Sequence, residues 1–322
     1  MSAIAAATLE RLDALATERG IALEADVPMA PLTTLRVGGP ADRMISPSSV
    51  DELVAAARLA ADAGVPAFML GKGSDIVVAE AGIRGVVIRT RADAVTIEGT
   101  RLRAEAGASM TALAKRCARE GLAGFDWAIS IPGSFGGAIW ANAGAHGGDM
   151  SQVLVEVEAL DPREGEPHTV AAHECGFAYR DSRFKHGSEV ILGGVIQLAR
   201  GEPREIGALL DDHQAHRRAT QPLADQNAGS VFRNPDGDYA GRLIEAAGLK
   251  GHRVGSAQVS TLHANFIVTD RGGRAADVRA LGDHVRATVA DRFGVDLRYE
   301  IEFVGDWPAD LDPPASQLAG IA

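Results

Sequence analysis

The sequence predicts an α+β fold of two or three domains, and three observations support that fold class. Helical and strand patterns alternate over the first 88 residues. Short strands with few helices follow to residue 205, and long helices dominate the rest of the chain. A length of 322 residues with 46% hydrophobic residues is enough to build more than one large core.

The first 88 residues predict two helices and four short extended segments. Both helices have an amphipathic pattern, and a glycine follows the last turn of each. The extended segments are short, and Gly82 turns the chain between the last two. The predicted helices are Thr8–Arg19 and Val50–Ala63, and the predicted extended segments are 34–37, 68–70, 77–78 and 86–88.

The middle and last parts of the chain differ in their patterns. Strands predominate up to residue 205, and Glu189–Ala199 is nearly all apolar, which is typical of a strand buried on both faces. Helices predominate after Pro203, and the proline-containing end of the chain is expected to be loosely held. The predicted strands are 95–97, 102–106, 153–160, 189–199, 265–269 and 297–304, and the predicted helices are 109–120, 203–220, 239–247 and 274–293.

The composition argues against several classes of protein. A net charge of −11 and an aromatic content of 5% disfavour a nucleic-acid surface, since phosphates would be repelled and few rings could stack on bases. No apolar run reaches the roughly 20 residues that span a bilayer, and no signal peptide is evident. The two cysteines, Cys117 and Cys175, are too few for a disulfide framework and lack metal-ligand spacing. We therefore expect a cytoplasmic protein with no nucleic-acid or membrane partner.

Two glycine-rich segments are candidates for a ligand site. Residues 127–150 contain six glycines and almost no charge, and Gly71–Asp75 is a second segment of the same kind. Glycine lets backbone N–H groups approach a ligand closely, and successive N–H groups can bind anionic oxygens. The alternative for either segment is a tight buried turn. Together they favour a large phosphorylated ligand.

Several familiar signatures are absent. Lys72 is followed by Gly73, so the P-loop pattern fails, and Ile76 stands where the dinucleotide fingerprint requires its last glycine. No serine stands in the pattern of a hydrolase nucleophile elbow. His213 and His216 are three residues apart on a predicted helix, but no third ligand is evident. We therefore expect two solvated histidines and no metal site.

Three polar segments are further candidates, and the first two have plainer interpretations, as a solvated loop and as a plain turn. Phe177–Lys185 is dense in basic residues, and arginine presents donors that match carboxylates and phosphates. In Gly229–Pro235 the glycine allows the Ser230 hydroxyl to be aimed, and Asn-Pro forces a turn. Near the end of the chain, Glu300 alternates with apolar residues, and a buried carboxylate there would need a partner or a function.

In combination these segments resemble the bacterial UDP-N-acetylenolpyruvoylglucosamine reductases, flavoenzymes of cell-wall precursor synthesis. The resemblance implies a PCMH-type cradle of two FAD-binding subdomains plus a smaller α/β substrate-binding domain. The implied units are residues 1–88 joined by the returning segment 298–322, residues 89–205, and residues 206–297. The motifs that carry the resemblance are Thr34–Ala41, Leu70–Val78, Ile131–Gly147, Tyr179–Lys185, Gln221-Pro222 with Gly229–Pro235, His263–Phe266 and Glu300–Gly305.

The resemblance also implies a reaction. NADPH would reduce noncovalently bound FAD, which would pass the hydride to the enolpyruvyl double bond of a UDP-sugar and give UDP-N-acetylmuramate for peptidoglycan. This role implies an oxidoreductase of cell-wall biogenesis that affects cell shape and cell division and acts as a monomer in the cytoplasm. The short spacing between Arg180 and Ser230 matches the shorter, second type of the family.

The resemblance assigns site residues to three roles. Arg180 would neutralise developing charge, Ser230 would donate the proton, and Glu300 would orient donors or assist proton transfer. Glu302 is expected on the same strand face as Glu300, but solvated or paired with a surface arginine. The residues implied to bind FAD are Gly71, Lys72, Gly73, Ser74, Asp75, Ile131, Pro132, Gly133, Ser134, Gly136, Gly137, Ala138, Asn142 and Gly144. Those implied to bind substrate are Tyr179, Arg218, Arg233, Asn234 and His263.

The chain departs from the family pattern at a few positions. Lys72 and Asp75 stand in a loop that usually reads Gly-Gly-Gly-Ser-Asn, and Leu262 and Arg233 stand where lysines are usual. A carboxylate beside a pyrophosphate requires compensation by Lys72 or by a proton. Three alternatives stay open: another FAD-linked oxidoreductase of the same cradle family, a catalytically inactive nucleotide-sugar-binding homologue, and a homologue without flavin.

Overall fold

The computed structural model describes residues 6–308, and the end of the chain that was expected to be loosely held, residues 309–322, lies outside them. Within the described residues no helix has the length and apolar character needed to cross a bilayer. No cluster of three or more His, Cys, Asp or Glu side chains in residues 6–308 has an arrangement suited to a metal ion.

The first part of the chain forms two helices and five strands: α1 (Ala6–Glu18), β1 (Glu24–Pro28), β2 (Pro40–Ile45), α2 (Val50–Ala63), β3 (Ala67–Leu70), β4 (Ile76–Val78) and β5 (Ile83–Arg89). One sheet has the order β1-β2-β5-β3, in which β2, β5 and β3 are parallel and β1 is antiparallel to β2. Ser49 caps α2 by accepting a hydrogen bond from the Glu52 N–H, and Gly64 ends it with a φ of 68°. Both predicted helices are confirmed. The predicted extended segment at 34–37 is wrong, because the regular strands β1 and β2 flank it instead.

The middle part forms a larger antiparallel sheet. Its elements are β6 (Val95–Glu98), β7 (Arg101–Glu105), α3 (Met110–Arg119), β8 (Leu122–Ala123), α4 (Phe135–Trp140), β9 (Gly144–Ala145), β10 (Gly148–Asp149), β11 (Leu154–Asp161), β12 (Glu164–Ala171), β13 (Val190–Gln197) and β14 (Ala199–Arg200). The main sheet has the order β12-β11-β13-β7-β6. The central strand β13 is buried over residues 190–196, as its apolar sequence predicted. The helix α4 was not predicted; Ser134 caps it by accepting a hydrogen bond from the Gly137 N–H.

The last part forms a third sheet and two long helices. Its elements are α5 (Pro203–Thr220), β15 (Gln226–Asn227), α6 (Ala240–Ala246), β16 (Arg253–Val254), β17 (Ala257–Val259), β18 (Ile267–Thr269), α7 (Ala275–Phe293) and β19 (Glu302–Val304). The sheet has the order β15-β18-β17-β16, and the apolar face of α7 packs against it.

The last strand returns to the first part of the chain, where β19 pairs in parallel with β4 and Glu302 lies opposite Ile76. The predicted strand at 297–304 is therefore too long. Its first half bonds elsewhere: the Arg298 carbonyl accepts from the Arg233 N–H, and the Glu300 N–H donates to the Val231 carbonyl. Glu300 consequently lies in a bend before β19.

Apolar packing joins the three sheets. Buried side chains of α2 pack with Leu160, Val190 and Leu192 of the second sheet. The core of the third part includes Leu35, Val37, Val77 and Ala79 from the first part, together with residues of α6 and α7. The three parts therefore enclose the space in which the predicted site residues lie.

Candidate active site

One large cavity lies where the three parts of the chain meet. Its volume is about 1130 Å³. Its wall includes the loop after β3, the glycine-rich segment around α4, the segment that carries Arg180, and residues of the last part such as Ser230 and Glu300. Pockets for drug-sized ligands usually measure about 300–1,000 Å³, so this cavity has room for a large cofactor together with part of a substrate.

The two glycine-rich segments contact each other at the cavity wall. A Cβ added to Gly71 would collide with the Ser134 hydroxyl, and one added to Gly133 would lie 3.3 Å from the Ser74 hydroxyl. Gly73 has a φ of 62°, and its carbonyl accepts a hydrogen bond from the Thr34 N–H at 2.9 Å. The segments thus form one surface of bare backbone and serine hydroxyls, which fits the diphosphate of a flavin dinucleotide.

The residues expected to bind FAD line this cavity, with the exception of Asn142. Asn142 is 4% exposed, and its side-chain amide donates to the Ala178 carbonyl at 2.9 Å while its Oδ1 accepts from the Ser151 N–H at 3.0 Å. Asn142 therefore ties the glycine-rich segment to the segment that carries Arg180. The structure assigns it a supporting position behind the cavity wall.

Arg180 and Glu300 form a partly buried ion pair in the cavity. The Arg180 Nε donates to Glu300 Oε1 at 2.8 Å, and its Nη2 donates to the Gly144 carbonyl at 2.8 Å. The backbone of Arg180 has a φ of 57°, which is unfavourable for a residue other than glycine. Burial would lower the pKa of Arg180, but the charge and hydrogen bond of Glu300 outweigh it, so the pKa is raised. The guanidinium is therefore held as a cation in one orientation.

Backbone hydrogen bonds bring Ser230 to the same cavity. The Glu300 N–H donates to the Val231 carbonyl at 2.8 Å, and the Val231 N–H donates to the Asn265 carbonyl at 2.8 Å. The Asn265 side chain clamps Phe232, because Oδ1 accepts from its N–H at 3.0 Å and Nδ2 donates to its carbonyl at 2.8 Å. The three predicted catalytic residues thus line one cavity, and Asn265 supports the loop that carries Ser230.

A second ion pair lines the cavity beside the first and corrects the expectation for Glu302. Lys185 Nζ lies 3.2 Å from Glu302 Oε1, and the two side chains are only 6% and 11% exposed. Lys185 Nζ also lies 4.1 Å from the centre of the Trp140 ring. Glu302 is therefore neither solvated nor paired with a surface arginine. The sequence offered one signal for Lys185, since it ends the basic segment that contains Arg180.

Asp75 lines the same cavity as these two ion pairs, and its carbonyl accepts a hydrogen bond from the Glu302 N–H at 2.9 Å. The charges that act on its carboxyl group are those of Glu300, Lys185, Glu302 and Arg180. Burial first, and Glu300 second, raise the pKa of Asp75 well above its ordinary value. The nearby positive charges are therefore Lys185 and Arg180 instead of the expected Lys72, which is exposed at the cavity wall.

Among the residues expected to bind substrate, Arg233 lines the cavity and the other four do not. Tyr179 is 53% exposed, and its ring lies 5.1 Å from the Arg180 guanidinium carbon. Asn234 accepts a hydrogen bond from the Ala240 N–H at 3.1 Å, and His263 accepts one from the Asn265 N–H at 3.2 Å. Asn234 and His263 thus stabilise local backbone.

The helix α5 presents Arg217 to the cavity, whereas Arg218 is exposed outside it. Arg217 follows the buried Ile206 and Leu210 on one helix face, and that spacing was a signal in the sequence for choosing Arg217. Its Nε donates to Gln221 Oε1 at 2.7 Å, and burial lowers the pKa of Arg217.

The same helix carries His213, which contacts the glycine-rich segment. Its ring stacks on His146 with centres 3.9 Å apart, and its Nε2 lies 3.0 Å from Asp126 Oδ2. His146 in turn lies 2.9 Å from the Ser130 hydroxyl, and His216 approaches its ring edgewise. The expectation of two solvated histidines is therefore wrong for His213.

Comparison with known proteins agrees with this arrangement. The family described as "UDP-N-acetylenolpyruvoylglucosamine reductase, C-terminal domain" matches residues 221–304, and the family described as "FAD binding domain" matches residues 41–171. The UDP-N-acetylenolpyruvoylglucosamine reductase 2 of Symbiobacterium thermophilum is 42% identical over 301 residues, which is 93% of this chain and 97% of that protein. The Bacillus subtilis reductase is 39% identical over 284 residues, which is 87% of this chain and 93% of that protein.

A solved structure shows the same similarity in three dimensions. The crystal structure of UDP-N-acetylenolpyruvylglucosamine reductase from Thermus caldophilus matches with a TM-score of 0.77 at 32% identity. The match covers 88% of this chain and 99% of that one. With cavity, flavin-binding domain and sequence in agreement, the chain belongs to the UDP-N-acetylenolpyruvoylglucosamine reductase family of FAD-dependent oxidoreductases.

Proposed function

We propose that this chain catalyses the NADPH-dependent, FAD-mediated reduction of UDP-N-acetylenolpyruvoylglucosamine to UDP-N-acetylmuramate. The observation that carries the proposal is the meeting of Arg180, Ser230 and Glu300 in one cavity with the glycine-rich surface. These three residues come from segments that are far apart in the sequence, and they supply a cation, a hydroxyl and a carboxylate to one space.

The residues present fit the proposed cofactor. Gly71–Ser74 and Ser130–Gly137 would hold the FAD diphosphate through backbone N–H groups and hydroxyls. Bound FAD supplies the hydride that NADPH has delivered to it. The loop 71–75 contains neither histidine nor cysteine, which supports noncovalent binding there.

The catalytic groups suit an enol ether. Hydride addition to one alkene carbon leaves carbanion or enolate character at the other, stabilised by the neighbouring substrate carboxylate. Arg180, oriented by Glu300 at 2.8 Å, would neutralise that negative charge. Ser230 would then donate its hydroxyl proton to the carbon. Glu300 also fixes the Ser230 loop through its backbone bond to Val231.

Arginines of the last part of the chain suit the diphosphate of the UDP-sugar. Arg217, Arg233 and Arg298 all line the cavity. The buried Nε of Arg233 has no hydrogen-bond partner among the described residues, so this donor is free for an anionic ligand. We assign the UDP diphosphate to these arginines, with Arg217 taking the place that the sequence suggested for Arg218.

In the cell, the product would enter peptidoglycan synthesis, and loss of the enzyme would affect cell shape and cell division. We place the enzyme in the cytoplasm, where its nucleotide substrates are made. A monomer is sufficient for the reaction, because one chain supplies all three catalytic residues.

Anaerobic stopped-flow spectroscopy of the purified protein tests this function. NADPH should bleach the flavin absorbance, and the enolpyruvyl substrate should restore it with formation of the lactyl ether, heavier than the substrate by two hydrogens. Denaturation should release intact FAD. Restoration by oxygen but not by the substrate would favour another oxidoreductase of the cradle family. A colourless protein that FAD cannot reconstitute would contradict the flavoenzyme assignment.

A further inference from the structure

Five charged side chains line the cavity near the end of the first glycine-rich loop, where the Glu302 N–H donates to the Asp75 carbonyl at 2.9 Å. Their charges do not cancel if all five are ionised. Asp75, Glu300 and Glu302 are acidic, whereas Arg180 and Lys185 are basic. Four of them already form two ion pairs, with distances of 2.8 Å for Arg180–Glu300 and 3.2 Å for Lys185–Glu302. Asp75 is left without a cation of its own in the described part of the chain.

We propose that Asp75 keeps its proton and presents a neutral carboxyl group, able to donate a hydrogen bond, to the bound cofactor. Three carboxylates against two cations would leave a net negative charge in a partly buried site, and one proton removes it. Glu300 and Glu302 are each stabilised as anions by a direct partner, so the proton belongs on Asp75. The raised pKa of Asp75, caused by burial and then by Glu300, agrees with this placement.

The position of Asp75 gives this proton a function. Asp75 directly follows Ser74 in the loop that would hold the FAD diphosphate, where an ionised carboxylate would repel the ligand. A protonated carboxyl group has an O–H donor for an anionic oxygen instead. Because the neutral form binds the ligand better, a rise in pH through the pKa of Asp75 should weaken FAD binding. Lys72, on the same loop, adds a positive charge whatever the state of Asp75.

Infrared difference spectroscopy on the apoprotein measures the proton directly, so this test does not depend on the proposed cofactor site. At pH 7 the parent should show the C=O stretch of a protonated carboxyl group, and Asp75→Asn should lack it. Asp62→Asn is the matched control, because Asp62 is an aspartate 52% exposed at the surface in an ion pair with Arg19. This control should keep the band. Identical spectra for the parent and Asp75→Asn would overturn the proposal.

A second variant tests the count of charges. Glu300→Gln leaves two acidic groups against two basic groups, so the shared proton is no longer required for neutrality. The band should therefore disappear at a lower pH than in the parent. A band that keeps its pH midpoint in Glu300→Gln would contradict the role of Glu300 in holding the proton on Asp75.

FAD titration of the apoproteins then tests the consequence for binding. At pH 7 Asp75→Asn should bind FAD within about threefold of the parent, since an amide replaces a neutral carboxyl group of the same shape. Affinity in the parent should fall once the pH exceeds the pKa of Asp75, while Asp75→Asn stays level. An Asp75→Asn protein that binds FAD more than about tenfold tighter at pH 7 would show that Asp75 is ionised. Failure of the parent to bind FAD would overturn the cofactor site instead.

Discussion

Glu300 and Glu302 are two residues apart, yet they have different partners. Glu300 pairs with Arg180, which is partly exposed to the cavity, whereas Glu302 pairs with the buried Lys185. Strand periodicity places both glutamates on one face and cannot separate them. Their hydrogen-bond partners distinguish the two glutamates. The Glu300 N–H donates to the Val231 carbonyl in the loop of Ser230, whereas the Glu302 N–H donates to the Asp75 carbonyl. We therefore propose a catalytic role for the Arg180–Glu300 pair, whereas Lys185 and Glu302 neutralise each other.

Ser230→Ala should separate the two half-reactions. Reduction of the flavin by NADPH should stay within about twofold of the parent, whereas reoxidation by the enolpyruvyl substrate should slow by about 10²–10⁴, the span of general acid catalysis. Single-turnover stopped-flow measures both rates. Ser151→Ala, an exposed serine, is the matched control and should change neither. Equal slowing of both half-reactions in Ser230→Ala would indicate a disturbed flavin pocket and not a lost proton donor.

At the scale of secondary structure, the site residues are positioned mainly by hydrogen bonds between loop segments, and less by the regular helices and strands. The bend before β19 bonds to the Ser230 loop, and Asn265 clamps that loop from the other side. The helix α5 likewise contacts the glycine-rich segment, because the ring of His213 stacks on that of His146. These contacts suggest two tests, one of the clamp and one of the histidine stack.

Asn265→Ala should destabilise the protein and slow catalysis together. The variant leaves the buried N–H and C=O groups of Phe232 without their side-chain partner, at a cost of about 1–3 kcal/mol for each group. Chemical denaturation should show this loss of unfolding free energy, and reoxidation of the flavin by substrate should slow because Ser230 is no longer held. Asn234→Ala is the matched control: it removes one partly buried hydrogen bond and should cost about 0.5–1.5 kcal/mol. Equal losses in the two variants would contradict the clamp.

The histidine stack should make stability depend on pH. Burial, followed by His213 and His216, lowers the pKa of His146 below the ordinary value of 6.5. At a pH between the lowered pKa of folded His146 and the ordinary value of 6.5, the unfolded chain binds more protons than the folded protein. The free energy of unfolding therefore falls as the pH drops below 6.5 and levels off below the lowered pKa. Urea unfolding at several pH values should show a smaller slope in His146→Gln, whereas His173→Gln, at an exposed position, should keep the slope of the parent. An unchanged slope in His146→Gln would refute this effect.

At the scale of the whole molecule, the cavity lies between three parts of the chain, each of which has its own sheet. The α2 helix packs on the second sheet, and the core of the third part includes residues of the first. The matched FAD-binding family covers residues 41–171, and the matched C-terminal family covers residues 221–304. The division into units at 1–88, 89–205 and 206–297 stays a prediction, as does the inclusion of 309–322 in the first unit.

FAD should stabilise the whole protein, because its proposed site joins these parts. A ligand that binds only the folded state at 100 times its dissociation constant adds about 2.7 kcal/mol of stability. The melting temperature of the apoprotein should therefore rise with FAD concentration. Riboflavin, which lacks the diphosphate, is the matched ligand and should produce a smaller rise. Equal rises with both ligands would mean that the glycine-rich loops do not bind the diphosphate.

Local sequence patterns were enough to predict most long helices and the buried strand β13. The glycine-rich segments and the motif order were enough for the family. The motifs also suggested Arg180, Ser230 and Glu300, which line one cavity and whose catalytic roles stay predictions. Such features depend on residues that are close in sequence, where spacing and backbone freedom determine the outcome.

The three-dimensional fold placed Arg217 at the cavity instead of Arg218, in agreement with the spacing on α5. Only the fold paired Glu302 with Lys185 and placed Asp75 in the same cavity as both ion pairs. The partners in the two ion pairs are 120 and 117 residues apart in the chain. No local pattern contains the distance between such groups. The burial and protonation of these groups depend on the pairing of β19 with β4, which brings Glu300 and Glu302 beside the first glycine-rich loop.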